Sequence, residues 1–161
     1  MLVTPRAHRR RIQGFTLVEL LTAVTLIGVL AGLAVPSFQG FIANQRIRNV
    51  SFDLMAGLLL ARSEAVTRNG SVSFRKAEAG WTGGWTVTDG TNTLLSQEPL
   101  NSLSITSSAT LDEITYGRDG RANTASTKFN VAPARQISGV SPRCISIGPS
   151  GLPSSRVGAC S

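Results

Sequence analysis

Apolar residues form one continuous run near the start of the chain. From Phe15 to Val35 the sequence is apolar except for Glu19 and a few small polar residues, and Pro36 follows the run. At a rise of about 1.5 Å per residue, a helix of this length measures about 30 Å, the thickness of the hydrocarbon core of a bilayer. The run therefore predicts a single membrane-spanning helix over residues 15–35, and the buried carboxylate of Glu19 favours a cationic partner.

Apolar residues recur at spacings of three and four after this run. Charged residues lie off the apolar seam, which consists of Ile47, Val50, Leu54, Leu58, Ala61 and Ala65. This period predicts an amphipathic helix over residues 36–68 that continues the span. The dipeptide Asn69-Gly70 then predicts the end of the helix, with Gly70 in the left-handed position.

A period of two replaces the helical period over residues 69–161. Short alternating runs, separated by Gly, Asn, Asp and Pro, predict strands at 71–75, 84–88, 93–97, 102–106, 114–116, 128–131 and 143–147. The segment from Gly80 to Gly84 predicts an aromatic hairpin, with Trp81 and Trp85 packed in the core or on a sheet face. The fold class predicted is α+β, with one long N-terminal helix packed on an antiparallel β-sheet domain.

Basic residues are concentrated before the apolar run. The formal net charge is +7, but residues 1–14 hold Arg6, Arg9, Arg10 and Arg11, and the remaining chain has 12 basic and 9 acidic residues, or +3. Such a cluster keeps its end of a span on the cytoplasmic side, which predicts a periplasmic C-terminal domain. A secretory signal is the alternative, because Gly32-Leu33-Ala34 would permit cleavage before Val35.

The last third of the chain is electropositive. Between Arg118 and Ser161 only Asp119 is acidic, and the basic residues are Arg118, Arg121, Lys128, Arg135, Arg143 and Arg156. These side chains are candidates for contacts with the phosphates of double-stranded DNA, which would weaken as salt rises. The alternative is that they are scattered, solvated surface arginines.

Two cysteines and one histidine limit the chemistry available. Cys144 and Cys160 lie in the part expected in an oxidising compartment, which predicts a disulfide, and a metal site is the weaker alternative for two thiols without clustered histidines or carboxylates. The single histidine, His8, precedes the apolar run, and we find neither a nucleophile motif nor a phosphate-binding loop. The sequence therefore predicts a protein without catalytic residues, cofactor or metal.

The string Gly14-Phe15-Thr16-Leu17-Val18-Glu19, preceded by basic residues, resembles the class III signal of type IV pilins and type II secretion pseudopilins. The resemblance implies that a prepilin peptidase cuts after Gly14 and methylates the new amino terminus of Phe15. The resulting amine is a cation that can pair with Glu19 of a neighbouring subunit in the membrane. Glu19 is then the residue that aligns subunits during assembly at an inner-membrane platform.

Three later segments resemble the FimT/GspH-type minor pilins and pseudopilins. They are residues 62–66, 114–121 and 144–151, read as RSEAV, ITYGRDGR and CISIGPSG. The resemblance implies a nonenzymatic subunit that joins other minor pilins or pseudopilins to prime or cap a type IV pilus or a type II secretion filament, in the inner membrane or in a pilus at the cell surface. Some FimT-type members are DNA receptors in natural transformation, with arginines after the glycine matching Gly151. Here only Arg156 matches those arginines. The glycines Gly117, Gly120 and Gly151 also have a purely structural interpretation, as supports of turns between strands.

Overall fold

A computed structural model of the chain describes residues 14–161, without the side chains of residues 33–37. The predicted leader, residues 1–14, lies outside the described residues except for Gly14. The chain divides into two compact units, with the boundary between Phe38 and Gln39. The described elements are helix α1 Leu17–Thr67 and the strands β1 Val72–Ala77, β2 Gly80–Thr88, β3 Thr93–Gln97, β4 Leu103–Ser107, β5 Glu113–Tyr116, β6 Thr127–Pro133, β7 Arg143–Ile147 and β8 Pro153–Val157.

The first unit contains the start of helix α1. Side chains of residues 14–32 are exposed, including the large apolar side chains of Phe15, Leu17 and Val18. Within the described residues, no helix has the length and hydropathy needed to cross a membrane. The predicted span includes residues 33–35, whose side chains lie outside the description, and it stays a prediction.

The second unit contains the amphipathic part of helix α1, and the predicted seam is confirmed. All six seam residues are buried in one hydrophobic core with side chains of both sheets. The helix approaches the sheet closely at Gly57, where a Cβ atom would lie 2.8 Å from Cε2 of Phe74 and 3.1 Å from Nε1 of Trp85. A side chain at this position would therefore push the helix away from the core.

Helix α1 ends close to the predicted position, but a different residue takes the left-handed conformation that ends it. Asn69, not Gly70, takes the left-handed conformation, with φ of 52°. The amide of Asn69 donates to the carbonyl of Val66 over 3.2 Å, and the amide of Gly70 donates to that of Ala65 over 3.1 Å. These two bonds satisfy carbonyl groups of the last turn, and asparagine tolerates the left-handed conformation better than most residues with a side chain.

The strands form two antiparallel sheets, which confirms the predicted antiparallel β-sheet domain. One has the order β3-β2-β1-β5 and the other the order β4-β6-β7-β8. Strand β8 was absent from the predicted set, because Pro153-Ser154-Ser155-Arg156-Val157 lacks apolar alternation, as is typical of a solvent-exposed edge strand. Six of the seven predicted strands agree with observed strands within about two residues, and the seventh, 84–88, is the second half of β2.

Aromatic side chains connect the two sheets. The ring of Trp81 in β2 stacks on Phe74 of the same sheet at a centroid distance of 5.6 Å, and it meets Phe129 of the other sheet edge-on at 4.9 Å. Trp81 and Trp85 are buried, which confirms their predicted place in the core. The predicted hairpin over 80–84 is wrong, because these residues begin strand β2 and the chain reverses at Glu78 and Ala79.

Candidate functional site

The first candidate site is the start of helix α1. Gly14 and Phe15 precede the helix and are exposed, so the peptide bond between them lies outside regular structure. The hydroxyl of Thr16 accepts a hydrogen bond from the amide of Glu19 over 3.2 Å, which caps the first turn. The predicted cleavage point therefore lies immediately before a well-formed helix start.

Glu19 lies in this first turn with an exposed side chain. A carboxylate there interacts favourably with the partial positive charge of the helix N-terminus. Among the described residues, the ion pairs involve other carboxylates, and none of them includes Glu19. The geometry thus gives Glu19 a role in its own helix and leaves its carboxylate accessible to a second chain.

The second candidate site is a junction where the three later motif segments meet. Arg62 of helix α1 donates a hydrogen bond from Nε to the carbonyl oxygen of Gly120 over 2.9 Å. The hydroxyl of Tyr116 donates to the carbonyl oxygen of Gly151 over 3.3 Å. These residues belong to three separate segments of the sequence, and the fold brings them into one contact network. We call this network the motif junction, and it consists of Arg62, Tyr116, Gly120 and Gly151.

The glycines of the motif junction are needed for their shape. Gly120 and Gly151 have φ of 72° and 76°, in the left-handed region that favours glycine. A Cβ atom at Gly151 would lie 2.4 Å from the carbonyl oxygen of Gly120 and 2.9 Å from Cε1 of Tyr116. Burial raises the pKa of the Tyr116 hydroxyl, so Tyr116 stays a neutral hydrogen-bond donor. The structural interpretation of these two glycines is therefore supported.

The third candidate site lies where the end of the described chain covers the second sheet. Cys144 and Cys160 form a disulfide, as the sequence predicted. Nζ of Lys128 donates to the backbone oxygen of Ser161, and the guanidinium of Arg156 donates to Oγ of Ser161 over 2.8 Å. The disulfide thus fixes a short tail against two of the predicted DNA-binding residues.

The other basic candidates lie in separate places. Arg118 and Arg121 are exposed at the turn after β5, and Arg135 is exposed after β6. Arg143 begins β7 and lines a groove beside helix α1 together with Arg48, which sequence analysis did not select. The six candidates therefore occupy four separate places. Residues that are close in the sequence lie apart because they belong to different strands and turns.

Comparison with known proteins agrees with this architecture. The family model of the prokaryotic N-terminal methylation motif matches residues 9–35. The solved type IV minor pilin FimU of Pseudomonas aeruginosa covers 72% of this chain and 92% of its own, with a TM-score of 0.61 at 19% identity. The minor pseudopilin EpsH of the type 2 secretion system of Vibrio cholerae covers 71% and 97%, with a TM-score of 0.53 at 12% identity. The fold and its amino-terminal motif are those of a type IV pilin-like protein.

The family follows from a second match. The model described as type II transport protein GspH matches residues 52–151, more than half of the chain, and the chain belongs to that family. Curated relatives match over shorter segments: the type IV major alpha-pilin of Moraxella bovis is 42% identical over 45 residues, 28% of each chain. The type IV major fimbrial protein FimA of Dichelobacter nodosus is 34% identical over 71 residues, 44% of each chain. The matched segments thus span less than half the length of these relatives.

Proposed function

We propose that this chain is a nonenzymatic minor pilin or pseudopilin that primes or caps a type IV pilus or a type II secretion filament. The observation that carries the proposal is the combination of a GspH-family domain with an N-terminal methylation motif on one continuous helix. The domain buries one face of that helix, and the motif segment keeps its apolar side chains exposed. Such a chain can join others through its helix while presenting its sheets outward.

The proposed partners and location follow from the same motif. A prepilin peptidase would process the chain at Gly14, and an inner-membrane assembly platform would receive it beside other minor pilins or pseudopilins. The membrane anchor would be the segment from Phe15 to Val35, with the C-terminal domain in the periplasm. Support comes from the continuous apolar sequence, the basic leader and the matched methylation motif. Incorporation into a filament would then carry the domain to the cell surface.

Processing is the first expected result. Mass spectrometry of protein extracted from membranes should find N-methylated Phe15 as the first residue, because Gly14 and Phe15 precede the helix in an exposed stretch. Substituting Gly14→Glu should leave the unprocessed chain in the membrane. A peptidase site that fits glycine at this position should exclude a much larger, charged side chain. A mature chain that begins at Val35 would contradict the proposal and establish the secretory-signal alternative.

DNA binding is the second candidate function, as a receptor in natural transformation. Three exposed arginines favour DNA binding: Arg118, Arg121 and Arg135. Among the described residues, none of the three forms an ion pair with a carboxylate. Lys128 and Arg156 contact Ser161, which reduces their freedom to reach phosphates. The exposed turn with Arg118 and Arg121 is therefore the part of this basic set best placed for a phosphate contact.

If DNA binds there, the full chain in detergent should retard duplexes of unrelated sequence, because phosphate contacts carry little sequence information. Replacing both Arg118 and Arg121 by Ala should lower the slope of log affinity against log salt by about two units. The matched control is Arg46→Ala together with Arg48→Ala, which removes the same charge from helix α1. Equal losses in both pairs, or retardation absent at about 50 mM salt, would contradict a DNA site at this turn.

A further inference from the structure

Strand β8 is an open edge of the second sheet. It pairs on one side with β7, with Cys144 opposite Arg156 and Arg143 opposite Val157. The amide of Gly158 donates to the carbonyl of Pro142 over 2.8 Å, which fixes the alternation of the ladder. In an antiparallel pair the intervening residues turn their backbone groups away from the partner strand. The amides and carbonyls of Ser155 and Val157 therefore point away from β7, toward the open edge of the sheet.

These edge groups have the properties of a strand-addition site. Within residues 14–161, no backbone hydrogen bond of a turn or loop involves Ser155 or Val157. Both residues are exposed, and 66% of Val157 is accessible. Exposed edge strands are templates for an extended segment, whose main chain continues the ladder while alternate side chains fill adjacent pockets. Pro153, at the start of β8, limits the addition to the second half of the strand.

A groove lies beside this edge. It has a volume of about 430 Å³ and lies between the start of the domain's helix and β8, where Ile47 is the buried floor and Val157 a wall. Arg48 and Arg143 also line it. Neither guanidinium pairs with a carboxylate among the described residues. The groove therefore offers an apolar contact and two accessible cations to the side chains of an added strand.

We propose that the β8 edge and this groove bind an extended acidic segment of a neighbouring pilin-class subunit. The segment would add to β8 through the backbone groups of Ser155 and Val157 and place a carboxylate against Arg48 and Arg143. The positive charges of Arg48 and Arg143 favour an acidic segment. A carboxylate would supply the ionic partner that both guanidinium groups lack within the described chain. This inference rests on the proposed function, which supplies the neighbouring subunit.

The test uses the full chain in cells that assemble filaments, with a photoactivatable amino acid in place of Ser141, an exposed residue of the groove. We expect a cross-link to a peptide that contains Asp or Glu, from another protein with an N-terminal methylation motif. Ser155→Pro removes an outward amide and should lower this cross-link about tenfold, whereas Ser155→Ala keeps the amide and should leave it unchanged. A formed Cys144–Cys160 disulfide confirms that each variant folds.

Charge variants provide a second measurement that does not depend on proline. Arg48→Gln with Arg143→Gln should lower the cross-link about tenfold, and the exposed Arg135→Gln is the matched control. A nuclease-sensitive adduct, a cross-link to a second copy of this chain, or a cross-link unaffected by both sets of variants would overturn the inference. Wild-type chain in sheared filaments without the expected cross-link would overturn it while leaving the proposed function intact. Absence of the wild-type chain from filaments would instead contradict the proposed function. The cross-link would then still show whether the β8 edge binds an extended segment.

Discussion

We expect Gly151→Ala to lower the free energy of unfolding by about 3 kcal/mol. Two physical causes add. The residue has φ of 76°, which costs an L-residue with a side chain about 1 kcal/mol. The new methyl group would also lie 2.4 Å from the carbonyl oxygen of Gly120, a backbone atom that cannot rotate away. The turn must shift, which weakens the hydrogen bond between Tyr116 and residue 151.

Gly90→Ala is the matched control for this substitution. Gly90 has φ of 92°, but a Cβ atom there meets nothing within 4 Å. It should therefore cost only the conformational part, about 1 kcal/mol. Chemical unfolding of the full chain in detergent, followed by the fluorescence of the buried Trp81 and Trp85, measures both variants. Equal destabilisation by the two substitutions would show that the close contact at Gly151 is relieved without cost.

The motif junction also explains why three separate strings occur in one chain. Arg62 contacts Gly120, and Tyr116 contacts Gly151, so each string supplies one side of a contact. Arg62 holds the end of the helix against the turn after β5, while Tyr116 connects β5 to the turn before β8. The junction thus connects the end of the helix, β5 and the turn before β8.

Periodicity predicted the elements that carry their own apolar pattern. The helix seam from Ile47 to Ala65 is buried as expected, because spacings of three and four place these side chains on one face. Strands β3 and β7 were predicted with their observed bounds, since turn residues delimit both of them. Such signals are local, and a single segment of sequence contains all of the information required.

The missed features depend on contacts between distant segments. Strand β8 forms because β7 offers it a hydrogen-bonding edge, although Pro153-Ser154-Ser155 has little strand propensity of its own. The division into two sheets is likewise set by pairing, because β1 pairs with β5 although three strands intervene between them in the sequence. Periodicity shows where strands occur, but it contains no information about which strand lies beside which.

The candidate site shows the same limit. The sequence groups the candidate basic residues in the last third of the chain, whereas the fold places Arg118, Lys128 and Arg143 in separate surroundings. Arg48 was not selected because it lies on the helix, far in sequence from the basic last third, yet it lines the same groove as Arg143. The disulfide was predictable, because the chain has only two cysteines and one pairing is possible within it.

The second large effect is expected at Glu19. We expect Glu19→Ala and Glu19→Gln to remain in the membrane but to lower incorporation into filaments by more than about 100-fold. Both variants remove the proposed ionic partner of the methylated amine of a neighbouring Phe15. Removing one member of an ion pair shielded from water costs about 3 to 5 kcal/mol, because the remaining charge is left unpaired. Insertion should be unaffected, since the substitutions remove a charge from the apolar segment.

Thr16→Ala separates this role from helix capping. The amide of Glu19 bonds to the hydroxyl of Thr16, so this control removes the cap and keeps the carboxylate. Loss of an N-cap costs about 1 kcal/mol, which predicts a reduction in incorporation of about fivefold at most. The measurement is the ratio of each variant in sheared filaments to the same variant in membranes. A ratio for Glu19→Gln equal to that for Thr16→Ala would assign Glu19 to its own helix and contradict its role between subunits.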